Sequence, residues 1–171
     1  MGADRAVRVE AEPVDAVSTA RALAGVVAAE APDLVLTGVQ SADSVQGSTG
    51  AALAELVGLA RVAVVTRIDW NGSGPAKVDR ELEGGIVDVV EVDTPALLTI
   101  QTGINQPRYA NLRAIKQAEQ REIEVVAADT GEPAYRVRRM FTPPRGAGAE
   151  MLDGDAARVA QRIVELVRER L

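Results

Sequence analysis

The stretch from Asp4 to Trp70 most constrains what this chain can fold into. "ADRAVRV" (3–9), an apolar-periodic segment, "DLVLTG" (33–38), a polar loop, a second periodic segment and "RVAVVTRIDW" (61–70) follow one another. Strand, helix, strand, helix, strand is the order of a parallel sheet, because parallel neighbours need a long crossover between them. In the first periodic segment Val17, Ala20, Leu23, Ala24, Val27 and Ala28 recur at helical spacing. Asp15 or Ser18 can cap that helix, and Pro32 ends it. "DLVLTG" has the continuous apolar character of a buried parallel strand. The second helix is read from Thr49 to Val57, stopped by Gly58.

Past Trp70 the period changes. Asn71-Gly72 and Gly84-Gly85 are turn signals, and the alternating segments "AKVDREL" and "IVDVVEV" flank the second of them. This predicts an antiparallel hairpin over 76–92. "PALLTI" returns as a short buried strand, and a helix starts near Leu112. "EIEVVAA" and "AYRVRRMFTPP" read as further strands. "GDAARVAQRIVELVRERL" reads as an amphipathic terminal helix with Val159, Ile163 and Val167 on one stripe. The expected organisation is an α/β domain over 1–126, carrying the hairpin 76–92 and a loop at 105–116, then a C-terminal arm and helix over 127–171.

Composition narrows the chemistry. The chain is 47% hydrophobic but only 2% aromatic, so its core is built from Val, Ala, Leu and Ile. It contains neither His nor Cys, which removes thiolate nucleophiles, imidazole acid–base catalysis, disulfides and the usual zinc ligands. Binding is favoured over hydrolysis. The net charge of −6 argues against nucleic acid as the main partner. No 18-residue apolar run predicts membrane insertion, and "MGADRAVRVE" lacks the apolar core of a signal peptide. The expected setting is the cytoplasm of a prokaryote.

The loop "GVQSADSVQGSTG" (38–50) lies where such folds hold anions, between a strand end and a helix start. Backbone N–H groups there lack internal partners and carry partial positive charge. A phosphate near Gly47, Ser48 and Thr49 would satisfy them. Gln40 and Asp43 sit nearer the strand end, where a ribose or ring would lie. The same residues also make an ordinary helix cap and turn with no ligand. The loop matches neither G-x-x-x-x-G-K-[ST] nor G-x-G-x-x-G, so one phosphate suits it better than three.

Four segments give the chain a resemblance to the β subunit of electron transfer flavoprotein. "MGADRAVRV" is similar to the family's stretch before a crossover helix. In the loop, Gly38, Gln40, Asp43, Thr49 and Gly50 match the family pattern; Val39 replaces a basic residue and Ser48 a common glutamine. In "VDRELEGGIVDVVEVDTPALLT", Arg80, Glu83, Gly84, Gly85, Pro95, Leu97, Leu98 and Thr99 match, and Asp88 departs. In "NQPRYANLRAIKQA", Asn105, Pro107, Arg108, Tyr109, Leu112 and Ile115 match. Gln106 and Arg113 depart there, and a lysine-rich run is reduced to Lys116.

The resemblance implies a Rossmann-like sheet of the adenine-nucleotide α-hydrolase type, with a hairpin insertion and a C-terminal helical arm. It implies a heterodimer with an electron transfer flavoprotein α subunit that holds most of the FAD. It implies electrons received from acyl-CoA dehydrogenases or related donors and passed to a quinone oxidoreductase, with no catalytic residue in this chain. AMP is the implied cofactor of the β subunit, its pocket drawn from Gly38, Gln40, Asp43, Gln46, Gly47, Ser48 and Thr49. Val39 and the absence of a counterpart to the family's first strands predict that AMP binding is weak or lost. Partner docking is implied for Arg108, Tyr109, Leu112 and Ile115, with Leu112 as the inserted side chain and Arg108 and Tyr109 supporting the loop. The bland alternative makes Leu112 the first buried residue of its helix.

Arg136, Arg138, Arg139 and Arg145 form a basic cluster that suits either the α subunit or a flavin phosphate, or a plain solvated face. Glu83 resembles a catalytic carboxylate and reads as a turn residue. Two other functions compete with the electron carrier. One is a nucleotide-binding module of the stress-protein ATP-sensor kind; the other is a subunit relative that dimerises without AMP.

Overall fold

The structure is a computed structural model describing residues 2–144, 146, 148–149 and 151–170. It separates into two compact units, Met1–Arg136 and Val137–Leu171. The first is α/β, with β1 (Val7–Glu10), α1 (Ala16–Glu30), β2 (Leu34–Gly38), α2 (Thr49–Val57) and β3 (Ala60–Asp69) in the expected order. β4 (Ala76–Glu81) and β5 (Val87–Val92) make the hairpin, followed by β6 (Ala96–Ile100), α3 (Leu112–Glu119) and β7 (Glu124–Ala127).

The sheet is mixed. Five strands lie in the order β2-β6-β3-β4-β5, with β2, β6 and β3 parallel and the hairpin antiparallel. β1 does not join this sheet; it pairs in parallel with β7 in a separate two-stranded sheet. β6 lies between β2 and β3 and is buried from Ala96 to Thr99, which explains why "PALLTI" shows no alternation. Leu97 faces α1 and α2, packing with Ala20, Leu53 and Ala54. Leu98 faces the other way, packing with Val62, Val65, Val78 and Val92. The alternation of the hairpin thus supplies the second face of the core.

β3 changes role along its length. Its first half pairs with β6, its second with β4, and the register shifts between Val62 and Val65. Val64 holds φ 60 at this bulge, an uncommon conformation for a β-branched residue. Its N–H donates to Thr99 Oγ1 at 3.0 Å. Across the bulge β3 exchanges β6 for β4 as its partner.

Glu83 lies exposed in the turn Glu83–Gly85, where Gly84 and Gly85 take φ 80 and 75, so its place is that of a turn residue. "AYRVRRMFTPP" forms no strand; its alternation is real, but no neighbouring strand offers a ladder. The second unit contains α4 (Ala156–Arg170), whose Ile163 and Val167 are exposed. In the same unit the Arg139 guanidinium stacks over Phe141, 4.6 Å from the ring centroid. Arg145 lies outside the described residues. No described helix is long and apolar enough to cross a membrane.

Candidate functional site

Two helix N-termini face one cleft at the carboxyl end of β2. The α1 terminus is closed by its own residues. Asp15 is the N-cap, accepting from the Ser18 N–H at 2.7 Å, and the Ser18 hydroxyl accepts from the Asp15 N–H at 2.9 Å. This reciprocal pair satisfies donors that would otherwise be free. The α2 terminus differs: Ser48 stands at the N-cap but makes no side-chain cap bond. The first-turn N–H groups of α2 remain available to an external acceptor.

Gly50 explains how close α2 comes to the sheet. A Cβ built there would lie 2.5 Å from Thr37 Oγ1 and 2.8 Å from Thr99 Cγ2. Thr37 and Thr99 are register partners on β2 and β6, so the helix start rests on a pair of threonines. Thr37 Oγ1 is buried and has no hydrogen-bond partner among the described residues. Glycine in the first turn costs helix propensity; that cost is the signal in the sequence that could have exposed this contact.

The cleft has a volume of about 420 Å³ and is lined by Asp15, Thr19, Ser41, Asp43, Gln46 and Thr49 among others. That is within the size range of small-molecule sites. Asp43, Gln46 and Thr49 are therefore brought together, and Ser41, Ser44 and Asp15 join them unforeseen. Gly38, Gln40, Gly47 and Ser48 do not line the cleft: Gly38 ends β2, Gln40 lies against Gly47, where a Cβ would sit 3.7 Å from Gln40 Cβ, and Ser48 precedes α2. Gly47 holds φ 60, turning the chain into Ser48 and Thr49.

Among the described residues no basic side chain lines the cleft, and Val39 offers none. The carboxyl of Asp43 is held below its ordinary value by the Ser41 hydroxyl and then the Ser44 N–H, the latter at 2.8 Å. Asp15 is lowered to about 2, chiefly by the Ser18 N–H, with help from the Ser18 hydroxyl and the N–H groups of Tyr135 and Ala134, against the opposing effect of burial. The cleft offers an anion backbone N–H groups and hydroxyls, beside the carboxylates of Asp15 and Asp43. It does not suit a triphosphate, whose charge two carboxylates and no cation would oppose.

The second group of candidate residues lies apart from the core. Asn111 caps α3, accepting from the Ala114 N–H at 2.8 Å. No residue of α3 is buried. Leu112 is 77% exposed, Tyr109 is 96% exposed, and Ile115 is also on the surface. Leu112 is thus not the first buried residue of its helix.

Residues 1–130 match the electron transfer flavoprotein domain. The electron transfer flavoprotein subunit beta of Methylophilus methylotrophus is 44% identical over 98% of this chain and 69% of its own length. The proteins of the same name from Syntrophomonas wolfei and Bacillus subtilis are each 30% identical over 98% of this chain, and 66% and 69% of their own lengths. The human subunit is 34% identical over 74% of this chain and 51% of its own length. The chain spans about two thirds of these bacterial relatives and half of the human one. With the α/β fold and the four motifs in order, these matches establish that the chain belongs to the electron transfer flavoprotein family, as a β-subunit member.

Proposed function

We propose that this chain pairs with an electron transfer flavoprotein α subunit and docks flavoprotein dehydrogenases of the acyl-CoA dehydrogenase type, whose electrons pass on to a quinone oxidoreductase. FAD, held mainly by the α subunit, supplies the redox chemistry when bound. The part played by this chain is contact and orientation, which needs no acid, base or nucleophile. The observation that carries the reading is the exposed Leu112 at the start of a helix with no buried face. An exposed leucine filling a pocket on a partner contributes about 2 kcal/mol. A leucine kept at this exposure has no folding role to explain it.

AMP is proposed as a structural ligand of the cleft. Its phosphate would be held by Gly47, Ser48 and Thr49 at the open start of α2, and its ribose would face Asp43. The lack of a cation at Val39 makes the affinity low. The proposal is tested by co-expression with the cognate α subunit. A yellow heterodimer that links an acyl-CoA dehydrogenase to dye reduction supports it. A chain that retains ATP and ignores the α subunit overturns it.

A further inference from the structure

We propose that Arg121 is a positioning residue for partner docking, holding α3 in place through the backbone of residues 3 and 4. The proposal rests on the docking role of Leu112 given above. α3 is an eight-residue helix with no buried side chain, and a helix that short is marginal without tertiary support. Its position must come from its flanks.

Both flanks arrive at the same short segment. On the far side of α3, Arg121 Nη1 donates to the carbonyl oxygens of Ala3 and Asp4 at 2.6 and 2.8 Å. On the near side, the Arg108 guanidinium lies against Gly2; a Cβ there would be 3.6 Å from Arg108 Nη2. The segment is itself tied down, because Arg5 pairs with Glu30 at the end of α1 and with Glu124 at the start of β7. A chain of contacts thus runs from α3 through Arg121 and residues 3–5 to α1. One guanidinium nitrogen spanning two consecutive carbonyls fixes direction as well as distance. The same grip from a lysine ammonium, on a more flexible stem, is looser. Leu112 at one end of α3 can be presented at a fixed angle only if the other end is held.

The test uses the heterodimer with its α subunit, a dehydrogenase that reduces the wild-type heterodimer, and the variants Arg121→Ala, Arg121→Lys and Leu112→Ala. Loss of a charged-donor hydrogen bond at an exposed site predicts that Arg121→Ala raises KM for the heterodimer about fivefold. kcat and flavin content stay unchanged. Arg121→Lys should recover only part of that loss. Hydrogen exchange should quicken over 108–120 in Arg121→Ala and stay unchanged in β6. If Leu112→Ala raises KM while Arg121→Ala does not, the positioning role is overturned and docking survives. If Leu112→Ala leaves KM unchanged, the docking reading itself fails. Loss of flavin or of heterodimer in both Arg121 variants would put Arg121 in the fold rather than in docking, and would also overturn the proposal.

Discussion

Thr37 and Asp15 show how single side chains report on the cleft. The buried Thr37 hydroxyl lacks a partner among the described residues, and an unsatisfied buried hydroxyl costs about 1–3 kcal/mol. Thr37→Val keeps the shape and removes the polar atom, so the ligand-free chain should gain about 1 kcal/mol in urea denaturation. If AMP uses that hydroxyl, the same variant should bind AMP more weakly by calorimetry. Asp15 behaves oppositely. Its two oxygens accept from Ser18 on one side and from the N–H groups of Ala134 and Tyr135, at 2.6 and 3.2 Å, on the other. Its carboxyl is depressed from 3.8 to about 2 in the folded chain. A depressed acid contributes stability that is fully present above its unfolded pKa and lost as pH falls through the folded one. The contribution is therefore complete near neutrality and drains away between about pH 4 and pH 2. Asp15→Ala should lower Tm at pH 7 by about 5 °C. It should also flatten the dependence of Tm on pH in that acid window; an unchanged slope would show that Asp15 is not the titrating group.

At the scale of elements, α2 and α3 use opposite strategies. α2 is pressed onto the sheet through Gly50, so Gly50→Ala pushes the helix start away from Thr37 and Thr99 and should cost about 1–3 kcal/mol in chemical denaturation. α3 buries nothing, so Leu112→Ala should leave Tm within about 1 °C of wild type. The same change should slow dehydrogenase-linked reduction about tenfold at equal flavin content. Existence and order of α1, α2, α3, α4 and the hairpin were legible from spacing, because each has a periodic pattern and a cap or turn glycine. The turn at Gly47 and the start of α2 at Ser48 and Thr49 were legible for the same reason. Asp15 was read only as a cap and Thr37 not at all, since their neighbours in the cleft come from distant chain positions that local pattern cannot pair. "AYRVRRMFTPP" misled for the complementary reason: alternation states which faces differ, and a strand still needs a partner edge.

For the molecule as a whole, the split of the strands into two sheets predicts uneven stability. β3, β6 and β4 share an apolar core on which Leu98, Val65 and Val78 are fully buried. β1 and β7 form only a two-stranded sheet, and the residues of β7 are largely exposed. A two-stranded parallel sheet with little buried surface is weak by itself, and what ties it down are Arg5 with Glu30 and Glu124 and the grip of Arg121 on residues 3 and 4. Surface ion pairs contribute little each, so this region should open well before the core does. Native-state hydrogen exchange on the chain should find amides of β6 and β3 exchanging only through global unfolding, and those of β1 and β7 through local opening. Leu98→Ala should cost about 3 kcal/mol and lower protection in β6 and β3 while leaving that of β1 and β7 unchanged. Val126→Ala, at a half-buried position, should cost below about 1 kcal/mol and affect β1 and β7 alone. Raising salt to 1 M should widen the gap between the sheets, because screening weakens the Arg5 pairs while leaving apolar burial intact. Equal protection in β1 and β6 at both salt concentrations would mean that the two sheets unfold as one unit and that the ion pairs couple them more strongly than their exposure predicts.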